Sequence, residues 1–254
     1  MKLTRVLIGA TVVASLMLPA TASAAGDFPL EGWWPLNEGK GQTVRDWSGN
    51  GNNGYLGSTT AADANDPSWV KGVFWGTGLN FNGNQFVTIP DDESLEPQEM
   101  TVGAWVRAPQ SPGTYRYVIA KGGDACVSAS YGLQTSFHGG LEFYIWDGSQ
   151  QRWSGHVTAA EIWDGKWHHV AGTFNGVDVH LYVDGKLVPG SSTHNASVDY
   201  EGPTGGGTIG GYRGTCDLLF TGDIDEPHIW SKALPVDQIW TRWGWLLGYP
   251  NKHQ

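Results

Sequence analysis

The chain has 254 residues, with 25 acidic side chains against 15 basic ones and a formal charge of −10 at pH 7. An acidic balance of this kind makes nucleic acid and anionic membranes poor partners, because their surfaces repel it. Charged residues make up only 16%, whereas glycine (37) and tryptophan (14) are abundant, which suits a turn-rich β protein whose indoles fill a core or face a ligand.

At the N-terminus Lys2 and Arg5 frame an apolar run from Val6 to Leu18, and Ala22-Ser23-Ala24 follows at once. That run is too short to span a bilayer and ends in small residues suited to cleavage, so residues 1–24 read as a secretory signal peptide rather than a membrane anchor. The segment holds neither an Arg-Arg pair nor a cysteine, so twin-arginine export and lipid attachment lack support. Residues 25–254 then read as one secreted, extracellular domain of ordinary size for an all-β sandwich. Losing Lys2 and Arg5 leaves 13 basic against 25 acidic residues. Cys126 and Cys216 permit a single intramolecular pairing, expected as a disulfide in an oxidising compartment, with two free thiols as the alternative. The bridge would close a loop of about 90 residues and stabilise the fold by roughly 4–5 kcal/mol in the chain-entropy account.

Apolar alternation recurs about every ten residues, the pattern of a sandwich or jelly roll. In chain order the strands are Leu79–Gly83, Met100–Val106, Tyr115–Ala120, Leu141–Trp146, Trp167–Phe174, Val177–Val183 with Asp184-Gly185-Lys186, and Gly222–Glu226. Asp147-Gly148, Asn175-Gly176 and Asp184-Gly185 lie between them; they tolerate the positive φ angles of hairpin turns and place the chain reversals. One short helix is expected from Pro235 to about Trp243, with Pro235 in the first turn and Val236, Ile239, Trp240 and Trp243 along one apolar face.

Taken together, Leu79-Asn80-Phe81-Asn82-Gly83, Trp167-His168-His169-Val170-Ala171-Gly172-Thr173-Phe174, Leu181-Tyr182-Val183-Asp184-Gly185-Lys186 and Gly222-Asp223-Ile224-Asp225-Glu226 resemble the laminin-G-like (LamG-like) jelly-roll family of the concanavalin A-like lectin/glucanase superfamily. The resemblance runs from about Trp33 to Ile239. Trp34–Gly39 with Asp46–Gly51 looks like the family's opening strand and glycine-rich loop, and Asp223–Leu234 like its closing strand and turn. It implies a jelly-roll sandwich of two antiparallel sheets in which the first and last strands are neighbours. Pro227 departs from the pattern, and since proline donates no ladder hydrogen bond the last strand should bulge or turn its N–H side outward there.

Function is less constrained, because the superfamily includes sugar binders, adhesion modules and glycoside-cleaving enzymes. Asp46-x-Ser48-x-Asn50-Gly51 resembles the opening of a calcium loop. It is no EF-hand, because Gly57 stands at the twelfth position and no helix flanks it. A lone calcium site of Asp46 and Asn50 completed by Asp225 is one reading, and an Asx-turn loop held by its own hydrogen bonds is the other. Asp223, Asp225 and Glu226 raise glycoside cleavage, but strand alternation sends Glu226 to the opposite side from the two aspartates, and the Glu-x-Asp-x-Glu string of the sandwich-fold glucanases is missing. His168 and His169, being adjacent, face opposite ways and cannot share a metal. Neither a Gly-x-Ser-x-Gly elbow nor the Arg-x-Glu-x-Arg and Gln-x-His strings of sandwich-shaped lyases occur.

Aromatic side chains offer the best route to a ligand, because sugar C–H faces pack on indole and phenol rings. The candidates are Tyr131, Tyr144, Trp146 and Trp153, with Tyr212 and Arg213 brought close if Cys126 pairs with Cys216. The expected function is non-catalytic binding of an extracellular glycan or polysaccharide, with calcium as a candidate cofactor. The alternatives are a polysaccharide-degrading enzyme and an adhesion module for a protein partner.

Overall fold

The computed structural model describes residues 29–122, 128–201, 205–212 and 218–239. Residues 1–24, Cys126, Cys216, Arg213, Trp240 and Trp243 lie outside the described residues, and with them the signal peptide and the disulfide. Among the described residues, sixteen strands form two antiparallel sheets of eight. The first sheet holds β1 (Leu30–Trp33), β4 (Ser68–Lys71), β5 (Thr77–Asn82), β7 (Met100–Arg107), β12 (His168–Phe174), β13 (Val179–Val183), β14 (Lys186–Leu187) and β16 (Thr221–Trp230). The second holds β2 (Thr43–Val44), β3 (Gly54–Leu56), β6 (Val87–Ile89), β8 (Tyr117–Lys121), β9 (Tyr131–Gln134), β10 (Glu142–Trp146), β11 (Gln151–Trp153) and β15 (Gly207–Ile209). Their orders are β14-β13-β12-β7-β16-β5-β4 and β11-β10-β9-β8-β15-β6-β3-β2. The first strand, β1, pairs with the second half of the last, β16, as the family resemblance implies.

Period-2 alternation decides what each strand buries. Val102, Ala104 and Val106 of β7, Ile224 and Ile229 of β16, and Val170 and Phe174 of β12 face Leu133, Phe143 and Ile145 of the second sheet in one continuous core. Gly172 lies against the Phe143 ring, where any Cβ would overlap it, so the two sheets can meet at this point only because the residue has no side chain. The Asp147-Gly148 and Asp184-Gly185 reversals stand where the sequence puts them, and Asp184, Gly185 and Gly148 all have positive φ.

The closing strand does bulge at Pro227. Its register against β7 breaks between Asp225 and His228, and Glu226 takes a φ of 53°. The missing proline N–H explains the break, and the Pro227 carbonyl accepts the Trp34 N–H at 3.0 Å instead. A helical turn over 236–239 follows Pro235, whose carbonyl accepts from the Gln238 and Ile239 N–H groups. Ile239 packs with Ala171, Trp230 and Leu234 outside the first sheet, but Val236, expected on the same apolar face, is 43% exposed. A further helical turn, α1 (Ala159–Ile162), stands outside the one helix that the sequence leads one to expect. Its signal is Thr158-x-x-Glu161, the capping-box spacing, and the Glu161 carboxylate accepts the Thr158 N–H at 2.7 Å.

Candidate functional site

The outer face of the second sheet collects aromatic side chains on β8, β10 and β11. Phe143 and Ile145 point into the core, so Glu142, Tyr144 and Trp146 must point out. Tyr144 is nonetheless fully buried, because other rings pack on it. Its hydroxyl lies 2.8 Å from that of Tyr117 and accepts the Ala129 N–H at 3.0 Å. Tyr212 stacks at a tilt on Tyr117, with centroids 4.9 Å apart, and Trp153 packs on Tyr144 at 4.8 Å. Gly132 lies between the two phenols, where a Cβ would come within 2.6 Å of Tyr117 and 2.7 Å of Tyr144. Burial pushes the Tyr144 phenol up to about 12 and the Tyr117 phenol further still, so both remain neutral hydrogen-bonding groups.

On that floor the β10–β11 hairpin presents two half-buried indoles, Trp146 and Trp153. Trp146 is paired with Gln151 and Tyr144 with Trp153, so all four side chains share the outer face. Glu142 joins them further along β10, with its carboxylate accepting from Gln134 Nε2 at 3.1 Å. Burial pushes Glu142 up to about 7. Among the described residues, none donates to the buried Gln134 Oε1. Planar indoles beside amide and carboxyl groups are what a sugar ring needs, one face for its C–H groups and an edge for its hydroxyls.

Four of the six expected ligand residues therefore meet on this face. Tyr144 and Tyr212 are floor, and Trp146 and Trp153 are the accessible part. Tyr131 is not among them. Its pairing opposite Ile145 turns it into the core, where it is fully buried and donates to the Leu95 carbonyl at 3.0 Å. No face of that ring is open to a ligand.

The acids and histidines of the first sheet are occupied by the fold. Asp223 takes the Arg107 guanidinium at 2.6 Å and Asn80 Nδ2 at 2.7 Å. Asp225 accepts the Val73 N–H at 2.8 Å, and Glu226 the Trp33 indole N–H at 2.6 Å. Burial pushes Asp225 up to about 8, helped by neighbouring Glu226, which burial itself pushes up to about 7. All three carboxyls are nearly inaccessible, so no cleft lies between them for a glycosidic bond. His169 stacks on His228 with rings 5.7 Å apart, and burial lowers both, His228 to about 4. His168 turns away to Asp184 and Asp164.

The opening loop is closed by its own hydrogen bonds. Asp46 accepts the backbone N–H groups of Trp33, Ser48 and Asn52 and the Ser48 hydroxyl. Asn50 Nδ2 donates to the Leu30 and Glu31 carbonyls. Donor hydrogens thus point at both Asp46 oxygens, and Asp225 spends an oxygen on Val73, so this donor set does not fit a calcium ion without rearrangement. Among the described residues, no three His, Cys, Asp or Glu side chains are grouped to hold a metal.

A sequence profile described as the concanavalin A-like lectin/glucanases superfamily, Laminin_G_3, matches residues 81–240. That is well over half of the chain, and the chain belongs to this family. No curated protein matches it in sequence. Among solved structures, domain 4 of AbnA, a GH43 extracellular arabinanase from Geobacillus stearothermophilus in complex with arabinotriose, superposes with a TM-score of 0.63 at 18% identity, covering 84% of this chain and 97% of that one. The binding domain of Paraclostridial Mosquitocidal Protein 1 gives 0.64 at 16% identity, over 84% of this chain and 51% of its own. Trypanosoma rangeli sialidase in complex with the inhibitor DANA gives 0.57 at 16% identity, over 83% of this chain and 32% of its own. The chain thus spans nearly all of the arabinanase domain, half of the toxin domain and a third of the sialidase. At these identities the likeness establishes the fold.

Proposed function

We propose that this protein is an exported, non-catalytic carbohydrate-binding module that holds a glycan against the β10–β11 edge of its second sheet. The observation that carries the reading is the outward row of Trp153, Trp146, Gln151 and Glu142 on a rigid phenol floor. An indole fixed by packing, as Trp153 is on Tyr144, can stack on a sugar without first being ordered, which lowers the entropic cost of binding. The solved neighbours support the reading, since they include a domain bound to arabinotriose and a botulinum neurotoxin serotype D ligand-binding domain bound to N-acetylneuraminic acid. Cleavage is disfavoured because each carboxyl of the closing strand already serves the fold. A second reading, recognition of a protein receptor, draws on the botulinum neurotoxin DC binding domain in complex with rat synaptotagmin II.

Export rests on residues 1–24 and is tested by N-terminal sequencing of protein recovered from the medium, where a start just after Ala24 is expected. A glycan array probed with the purified protein tests the binding claim. Selective retention of one polysaccharide class supports it. A blank array together with capture of a defined protein receptor supports the second reading.

A further inference from the structure

Tyr115 has a φ of 54°, in the left-handed region that bulky side chains avoid. Of the four non-glycine residues with such a backbone among the described residues, it is the exposed aromatic one, at 37%. Its loop is held there by a hydrogen-bond network. The Arg116 N–H donates to Thr135 Oγ1 at 2.7 Å, Thr135 Oγ1 to the Gly113 carbonyl at 2.6 Å, and Thr114 Oγ1 to the Phe137 carbonyl at 3.1 Å. These bonds tie the loop before β8 to the loop after β9 and set Tyr115 beside Phe137, with ring centroids 6.3 Å apart. Phe137 is 64% exposed, and His138 lies against it at 5.0 Å. A strained backbone that leaves the Tyr115 ring partly in solvent beside the more exposed Phe137 ring gives up burial that a ligand would supply.

The two loops run directly out of the strands that carry Tyr117 and Gln134, and Gln134 is paired with Glu142. The Tyr115–Phe137 pair therefore stands off the Glu142 end of the sheet that carries Trp153. We propose that Tyr115 and Phe137 form a second aromatic platform, which takes a more distant unit of the glycan chain held at Trp153. The claim rests on the glycan-binding reading and adds a subsite to it. Two rings with an imidazole beside them match a single sugar, and are far smaller than the surface that a stable protein interface buries.

The test compares disaccharides with hexasaccharides of the arabinan, xylan and β-glucan series by calorimetric titration, on the wild type, Tyr115→Gly and Phe137→Ser. Glycine adopts this φ freely, so Tyr115→Gly keeps the course of the loop while weakening hexasaccharide binding about three- to tenfold. Disaccharide affinity should not change, and Phe137→Ser should repeat the binding loss. Unchanged hexasaccharide affinity in both variants overturns the subsite and leaves the Trp153 platform standing. Absence of any binding by the wild type overturns both. A concentration-dependent dimer that either substitution dissolves would assign the pair to self-association instead.

Discussion

Replacing Asp225 by asparagine should change how stability depends on pH. The carboxyl is 2% exposed and accepts two backbone N–H groups, from Val73 at 2.8 Å and Glu226 at 2.9 Å. Burial, then the charge of Glu226, raises it from 3.8 to about 8. The unfolded chain ionises this group above about pH 4, so folding at neutral pH takes up a proton. Stability is therefore complete only at low pH and falls as pH rises, until the folded carboxyl also ionises near 8. One proton of difference is worth about 1.4 kcal/mol per pH unit. Below about pH 6.5 the buried pair His169 and His228 acts the other way, because it must stay neutral, and stability from that pair is lost as pH falls. Between pH 7 and 8 these two are largely neutral folded or unfolded. Glu226 and Glu142, both held near 7, and His168, raised by Asp184, add smaller falls of the same sign, so Asp225 makes the largest single contribution. The wild type should lose about 1 kcal/mol over that unit, or about 2–4 °C in a chain of this size. Asp225→Asn should lose less than half as much. The slope is the readout, since the amide replaces one acceptor oxygen and shifts the baseline. Melting curves in matched buffers at pH 7 and 8 measure it, and equal slopes would refute the reasoning.

Other perturbations follow from the same contacts. Gly172→Ala drives a methyl into Phe143 between the sheets and should cost about 1–3 kcal/mol, read as a lower denaturant midpoint with unchanged m. Gly132→Ala should push Tyr117 and Tyr144 apart and weaken glycan retention while near-ultraviolet dichroism reports the displaced phenols. Millimolar calcium should leave the melting curve unchanged, because donor hydrogens occupy Asp46; a rise that Asp46→Ala or Asp225→Ala abolishes would establish a calcium site.

The strands were legible because alternation and turn chemistry act locally, and the Pro227 bulge followed from one missing N–H. The face of each aromatic was less so. Tyr131 and Tyr144 look alike in sequence, and only the pairing of Tyr131 with Ile145 sends one inward. Glu142 lies two residues before Tyr144 and shares its face by the same alternation. Tyr115 and Phe137 could not have been singled out, because a positive φ at a tyrosine follows from tertiary hydrogen bonds and not from local preference. Alternation and the missing Glu-x-Asp-x-Glu string already count against catalysis by the closing acids. Their partners were not legible, because Arg107, Asn80, Val73 and Trp33 are distant in sequence and close only in space.

The central claim is that Trp153 gives a glycan its stacking surface and that no bond is cut. Titration of the polysaccharide selected on the array into wild type and Trp153→Ala, with reducing ends assayed in the same samples, tests both halves at once. Saturable binding by the wild type, a loss of about tenfold or more in the variant, and no product from either are expected. Equal affinity in the two proteins, or steady release of reducing ends by the wild type, would contradict it.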